Sequence, residues 1–175
     1  MSRLPRSPAG QSETPEYADS ESRIRSVAIA LQAYREHGAK ELEAKLARKG
    51  YDALTTAQVI EELKETGLVS DRRFAEAFAR SHAARGHGPV RIRYELKSLG
   101  VMEELIEASL SQEELDWIKL AAEVRRRKFG DPPPKAYPER AKQMRFLQYR
   151  GFSMNQIRAA FDTDIDDDIL DADAE

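Results

Sequence analysis

Three glycines set the frame of this chain. Gly50, Gly100 and Gly151 lie 50 and 51 residues apart, and each falls at the same point of a recurring apolar pattern. A leucine stands four residues before each one (Leu46, Leu96, Leu147), and an apolar residue follows at once (Tyr51, Val101, Phe152). Further anchors come six and ten residues after the second and third glycines: Ile106 and Leu110, then Ile157 and Phe161. After Gly50 they come at nine and thirteen, as Val59 and Leu63, which is a three-residue insertion. Self-similarity on this length scale marks repeated supersecondary units laid end to end.

The units read as helical. Ile24, Val27, Ala28 and Leu31 sit at i, i+3, i+4 and i+7, the apolar stripe of an amphipathic helix. Gly38 ends it, Leu42 and Leu46 mark a second helix, and Gly50 stops that one. Thr55 and Gln58 have capping-box spacing ahead of Val59, Ile60 and Leu63. The pattern then recurs. Phe74, Ala75 and Phe78 open a helix that Gly86-His87-Gly88 breaks, and Pro89 suits the first position of the next. Ile92, Leu96 and Leu99 follow, then a short helix with Leu105, Ile106 and Leu110. Ser111 and Glu114 have the spacing of a cap for a longer helix striped by Leu115, Ile118 and Ala122 and ending near Gly130. Asp131-Pro132-Pro133-Pro134 is a stiff connector, Met144 and Leu147 lead to Gly151, and Ser153 with Gln156 caps a last helix carrying Ile157, Ala160 and Phe161. No stretch alternates in the way a strand requires. The expected fold is all-α: three tandem three-helix repeats, over 21–69, 70–110 and 111–161, forming an elongated, curved solenoid-like array. Units this small are expected to complete their burial against neighbours. Residues 1–20, rich in Ser, Pro and Gly, and the acidic tail 162–175 are expected to be disordered.

Charge is unevenly placed. The net charge of −3 conceals a body, residues 21–161, with 26 Lys/Arg against 20 Asp/Glu, and a tail from residue 162 with eight acids and no base. A basic body with an acidic tail points to a polyanionic partner. The tail is then an internal polyanion mimic that masks the basic surface. The chain has no cysteine, which excludes disulfides, thiolate catalysis and Cys-based zinc sites. No secretory signal and no apolar run of membrane-spanning length are present, so the expected protein is cytoplasmic and meets no membrane.

No catalytic set is legible, and no phosphate-cradling Gly-rich loop with Lys-Ser/Thr occurs. We expect no enzyme activity and no cofactor. The Gly86-His87-Gly88 backbone offers N–H groups that could take an anion ahead of a helix. His82 and His87 straddle a helix end, with no third metal ligand spaced near them in the chain. His37 lies at a helix terminus, where it can meet the dipole, and Glu103, Glu104 and Glu107 suit the first turn of theirs. The binding candidates are cations. Arg91, Arg93 and Lys97 stud the middle helix of the second unit, with Glu95 spaced to pair Arg91. Arg125, Arg126, Arg127 and Lys128 run a full turn at the end of the long helix. Arg140, Lys142, Arg145 and Arg150 lie on the middle helix of the third unit. Stacked units would line these up as a basic strip suited to the phosphate backbone of single- or double-stranded DNA.

Four segments carry a family resemblance. Leu68-Val69-Ser70-Asp71-Arg72-Arg73-Phe74-Ala75 and Gly88-Pro89-Val90-Arg91-Ile92-Arg93-Tyr94-Glu95-Leu96-Lys97-Ser98-Leu99-Gly100-Val101 resemble the signature of the bacterial RecX family. Leu46-Ala47-Arg48-Lys49-Gly50-Tyr51 and Phe146-Leu147-Gln148-Tyr149-Arg150-Gly151-Phe152-Ser153 are similar to its outer repeats. The resemblance spans about residues 24–161. Gln148 and Tyr149 depart from it, standing where a more basic run is typical. It implies a tandem-repeat regulator of the RecA recombinase, bound in the groove of the RecA–DNA filament. Such a regulator suppresses ATP hydrolysis, strand exchange and co-protease activity, and so modulates DNA repair and recombination. A monomer is the simple expectation. Read from the residues alone, a direct DNA-binding regulator with helix-turn-helix-like units, or a scaffold for an acidic protein, stays open.

Overall fold

The computed structural model describes residues 15–162. Helices α1 (Pro15–Tyr34), α2 (Ala39–Arg48) and α3 (Ala53–Glu65) form the first unit. The second comprises α4 (Asp71–Ala84), α5 (Pro89–Ser98) and α6 (Glu103–Leu110). The third comprises α7 (Trp117–Phe129), α8 (Tyr137–Arg150) and a segment α9 over 154–162. Among the described residues there is no strand, and no helix is long and apolar enough to cross a membrane. Helix α1 begins at Pro15, ahead of the expected boundary. The expectations for residues 1–14 and 163–175 lie outside the described residues.

Local chemistry starts the helices, at positions that differ in part from the sequence reading. The Asp52 carboxylate, not Thr55, caps α3, accepting from the Thr55 N–H at 2.8 Å. Asp116, not Ser111, caps α7 by accepting from the N–H groups of Ile118 and Lys119. Each carboxylate sits at the positive end of a helix dipole, and Ser111 is already the C-cap of α6. The later start of α7 also changes its buried stripe. Leu115 precedes the helix, Ile118 is exposed, and Ala121, Ala122 and Val124 point inward. The expected box at α9 is present. Ser153 N–H donates to Gln156 Oε1 at 2.9 Å, and Gln156 N–H donates to Ser153 Oγ at 3.3 Å.

Each unit buries its own apolar cluster. Ile24, Leu42, Leu46, Val59 and Leu63 centre the first. Phe74, Ile92, Leu96 and Ile106 centre the second, and Ala121, Leu147, Ile157 and Phe161 the third. The helix pairs with extensive packing all lie within a unit. The expected sharing of a continuous core is therefore slight. Trp117 is the apolar bridge, touching both the second and third clusters while its indole N–H donates to the Leu110 carbonyl at 2.9 Å. The insertion after Gly50 lengthens α3 to 13 residues against 8 for α6, and Val59 and Leu63 still reach the core.

Glycines make the junctions. Gly88 N–H donates to the Arg150 carbonyl at 2.8 Å, and Val90 N–H to the Gly151 carbonyl at 3.0 Å. The end of α8 thus sits on the start of α5. A Cβ on Gly88 would overlap the Gly151 carbonyl, and one on Gly151 would overlap Arg91. The end of α5 meets the start of α2 more loosely, with Gly100 against the Lys40 side chain. That first junction is fastened by Asp71, whose Oδ1 accepts from the Ala39 N–H at 2.8 Å, and by Arg73 Nε to Glu36 Oε1 at 2.8 Å.

Candidate polyanion-binding cleft

The cations of α5 are compensated within the second unit. Arg91 Nε meets Glu95 Oε1 at 2.8 Å, as the i, i+4 spacing predicts. Arg93 reaches Glu107 at 2.6 Å and Glu103 at 3.8 Å, and Lys97 reaches Glu103 at 3.5 Å. The acids of α6 are thus counterions to α5 as well as dipole partners. Exposed pairs of this kind contribute about 0–1 kcal/mol.

The four-cation turn of α7 divides. Arg125 is fully buried, donating through Nη1 to the Gly130 carbonyl at 3.0 Å and through Nη2 to Asp131 at 2.6 Å, with its guanidinium 5.8 Å from the Phe161 ring centroid. It ties the Pro connector to α7 and is withdrawn from any surface. Arg126 is half-buried, whereas Arg127 and Lys128 are exposed. On α8, Arg140 lies 5.0 Å over the Phe161 ring and 3.7 Å from Asp162, and Lys142 pairs with Glu139 at 3.5 Å. Arg145 is exposed, without an ion pair among the described residues.

The cations that come together do so at the junction of units two and three. Arg127, Lys128 and Arg150 line a cleft of about 250 Å³ with Arg85, over Val124 and Phe146. Arg85 sits at the C-cap of α4 and donates to Ser81 Oγ at 2.8 Å. Arg150 lies 5.3 Å over the Phe146 ring and donates to the Arg85 carbonyl at 3.3 Å. No acidic residue lines the cleft, and none of these four head groups has an ion pair among the described residues. Arg91, Arg93, Lys97, Arg125, Arg140, Lys142 and Arg145 do not reach it. Four uncompensated cations around one opening create a positive potential that attracts phosphate. His87 nearby is held less basic than an ordinary histidine, first by burial and then by the neighbouring Arg91 charge. The Gly86-His87-Gly88 backbone takes no part. Its N–H groups are spent on the carbonyls of Ala83, His82 and Arg150.

Comparison with known proteins places this geometry. Models of the first, second and third three-helix domains of RecX match residues 25–63, 70–110 and 114–161. The chain belongs to the RecX family. The regulatory protein RecX of Halorhodospira halophila is 46% identical over 137 residues, covering 78% of this chain and 85% of its own. That of Pseudomonas entomophila is 42% identical over 134 residues, covering 77% and 86%. The crystal structure of RecX from Lactobacillus salivarius superposes with a TM-score of 0.65 at 25% identity, covering 87% of this chain and 99% of that one. A second RecX crystal structure, at 21% identity, shares the fold with a TM-score of 0.69, covering 84% and 74%. RecX relatives are named regulatory proteins, and a regulatory role is the general function of this chain.

Arg85 is the cleft residue that the sequence pattern of this chain did not single out. It stands alone in a run of small residues, Ala83-Ala84-Arg85-Gly86, rather than in a basic cluster. Its position as a cation at a helix C-terminus was the only available signal.

Proposed function

We propose that this RecX chain regulates the RecA recombinase by binding its filament on DNA, and that it acts as an inhibitor. Bound in the filament groove, it suppresses ATP hydrolysis, strand exchange and co-protease activity. Family membership supports the partner. The observation that carries the DNA-facing surface is the convergence of Arg85, Arg127, Lys128 and Arg150 without counterions. This cleft is the place where a phosphate of the filament's DNA is neutralised. Three units that keep separate cores and meet through narrow glycine joints suit an extended groove, because a long surface can follow the groove without a core being broken.

The direct test is to titrate the protein into a recombinase–single-stranded-DNA ATPase reaction. Inhibition that rises with the ratio of the two proteins is expected, and none at any ratio would sink the reading. Reversing Arg127 and Lys128 to Glu should weaken inhibition. It should also flatten the slope of log affinity against log salt by about 0.7–0.9 for each phosphate that is no longer neutralised. The doubly reversed Arg93 and Lys97 variant should do less, because those cations already have partners. The acidic run from Asp162 competes for the same cations. Its deletion tightens non-specific DNA binding at low salt, where screening is weakest. A monomer in the cytoplasm is consistent with this mode of action.

A further inference from the structure

Helix α4, the loop after it, and α5 bring three metal-type ligands to one point. His82 comes from the last turn of α4, His87 from the loop, and Glu95 from α5. One donor atom of each lies within 4.8 Å of the others, and all three side chains are half-buried. In sequence, Glu95 is eight residues past His87 and hides as the i+4 partner of Arg91.

The hydrogen bonding turns these donors toward one another. His82 Nδ1 lies 2.9 Å from the Phe78 carbonyl. A carbonyl only accepts, so Nδ1 donates to it and Nε2 is the nitrogen turned toward the acid. That Nε2 lies 3.3 Å from Glu95 Oε2, a contact that a shared proton or a metal ion can bridge. His87 adds a ring nitrogen, Nδ1, that is buried and without a hydrogen-bond partner. Two orienting interactions hold the first two ligands. The His82 ring stacks on Phe78 at 3.7 Å, and Arg91 Nε fixes the other Glu95 oxygen at 2.8 Å. A ligating histidine whose second nitrogen donates to a backbone carbonyl is the outer-shell arrangement found at metal sites.

We propose that His82, His87 and Glu95 bind a divalent transition-metal ion of the zinc class. Two imidazoles and one carboxylate suit a borderline metal with a fourth position left to water, and do not suit magnesium or calcium, which take oxygen ligands. His82 lines a groove of about 380 Å³ floored by Phe74 and Phe78, which supplies the path inward. The charged neighbours on the other side, Arg91 of α5 and Arg150 of α8, set an upper limit on affinity by repelling the ion. Bound metal would fix the loop whose next residue, Gly88, carries the junction to Arg150. The metal therefore stiffens the joint between units two and three, beside the basic cleft.

The test uses the full chain, treated with EDTA and then dialysed free of it. Zinc chloride titrated by calorimetry should bind at one equivalent and raise the melting temperature, while magnesium chloride should do neither. His82→Gln and His87→Gln should each weaken zinc binding by about tenfold or more, with far-UV circular dichroism confirming that both remain helical. Glu95→Gln should weaken it too. Cobalt(II) should give the visible absorption of a four- or five-coordinate ion in the parent chain and lose it in His87→Gln, which breaks no ion pair among the described residues and is the gentler change. No stoichiometric binding, or zinc and cobalt binding that survives both histidine substitutions unchanged, would overturn the proposal.

Discussion

The backbone N–H of Gly88 donates to the carbonyl of Arg150 across 2.8 Å, so the first residue before α5 is held by the last residue of α8. The bond spans 62 positions of sequence and joins two units whose apolar clusters are otherwise bridged by Trp117. It works only because both sides are stripped of side chain. Gly88 lies against Gly151, and Gly151 adopts a left-handed φ of +92°.

Substitutions at the repeat glycines should therefore differ in cost. Gly50 has φ +87° and nothing within 4 Å of where a Cβ would be, so Gly50→Ala should cost only the left-handed backbone penalty, about 1–2 kcal/mol. Gly151→Ala has the same penalty plus overlap with the Arg91 backbone, and should cost more and loosen the second junction. Urea unfolding of the two variants checks the order, and equal costs would mean that the joint gives way freely.

Arg125 is expected to act on stability rather than on binding. Replacing it by Ala removes two hydrogen bonds and a buried side chain, a loss of roughly 2–4 kcal/mol. Thermal unfolding measures this. Among molecules still folded, DNA affinity should match the parent chain, in contrast with the reversed Arg127 and Lys128 variant.

The cap of α7 offers a clean comparison. Asp116→Ala should cost about 0.5–2 kcal/mol, whereas Ser111→Ala, one turn too early, should be close to neutral. Denaturant midpoints for both variants decide whether Asp116 starts the helix in solution.

His37 should make stability depend on pH. It is buried, its Nδ1 lies 2.8 Å from the Arg35 carbonyl, and its Nε2 lies 2.7 Å from Lys45 Nζ. Burial, foremost, lowers its pKa below the ordinary value near 6.5. The unfolded chain then takes up a proton first as pH falls, so stability is full above about pH 6.5 and declines from there down to the folded pKa. Melting temperatures between about pH 7.5 and 5.5, which bracket the ordinary histidine value, should fall in the parent chain and fall less in His37→Gln. An identical decline in both would assign the dependence elsewhere.

Sequence alone determined the helical class, the threefold repeat and the RecX resemblance. It also determined the core positions that follow the repeat, because apolar periodicity and glycine stops are local properties that a helix reads over one or two turns. Ser153 and Gln156 were legible for the same reason, while Asp52 and Asp116 were obscured by Thr55 with Gln58 and by Ser111 with Glu114, nearby pairs at plausible spacing. Tertiary structure decided the rest. A run of four cations carries no mark of which one turns inward, and only the packing of the Pro connector and Phe161 shows that Arg125 does. Arg85 joins Arg127 and Lys128, and Glu95 joins His82 and His87, through distances set by where helices cross, not by spacing along the chain. The repeat glycines span both levels. Their period is written in the sequence, but the reason Gly151 must lack a side chain is the start of α5, which no local pattern could place beside it.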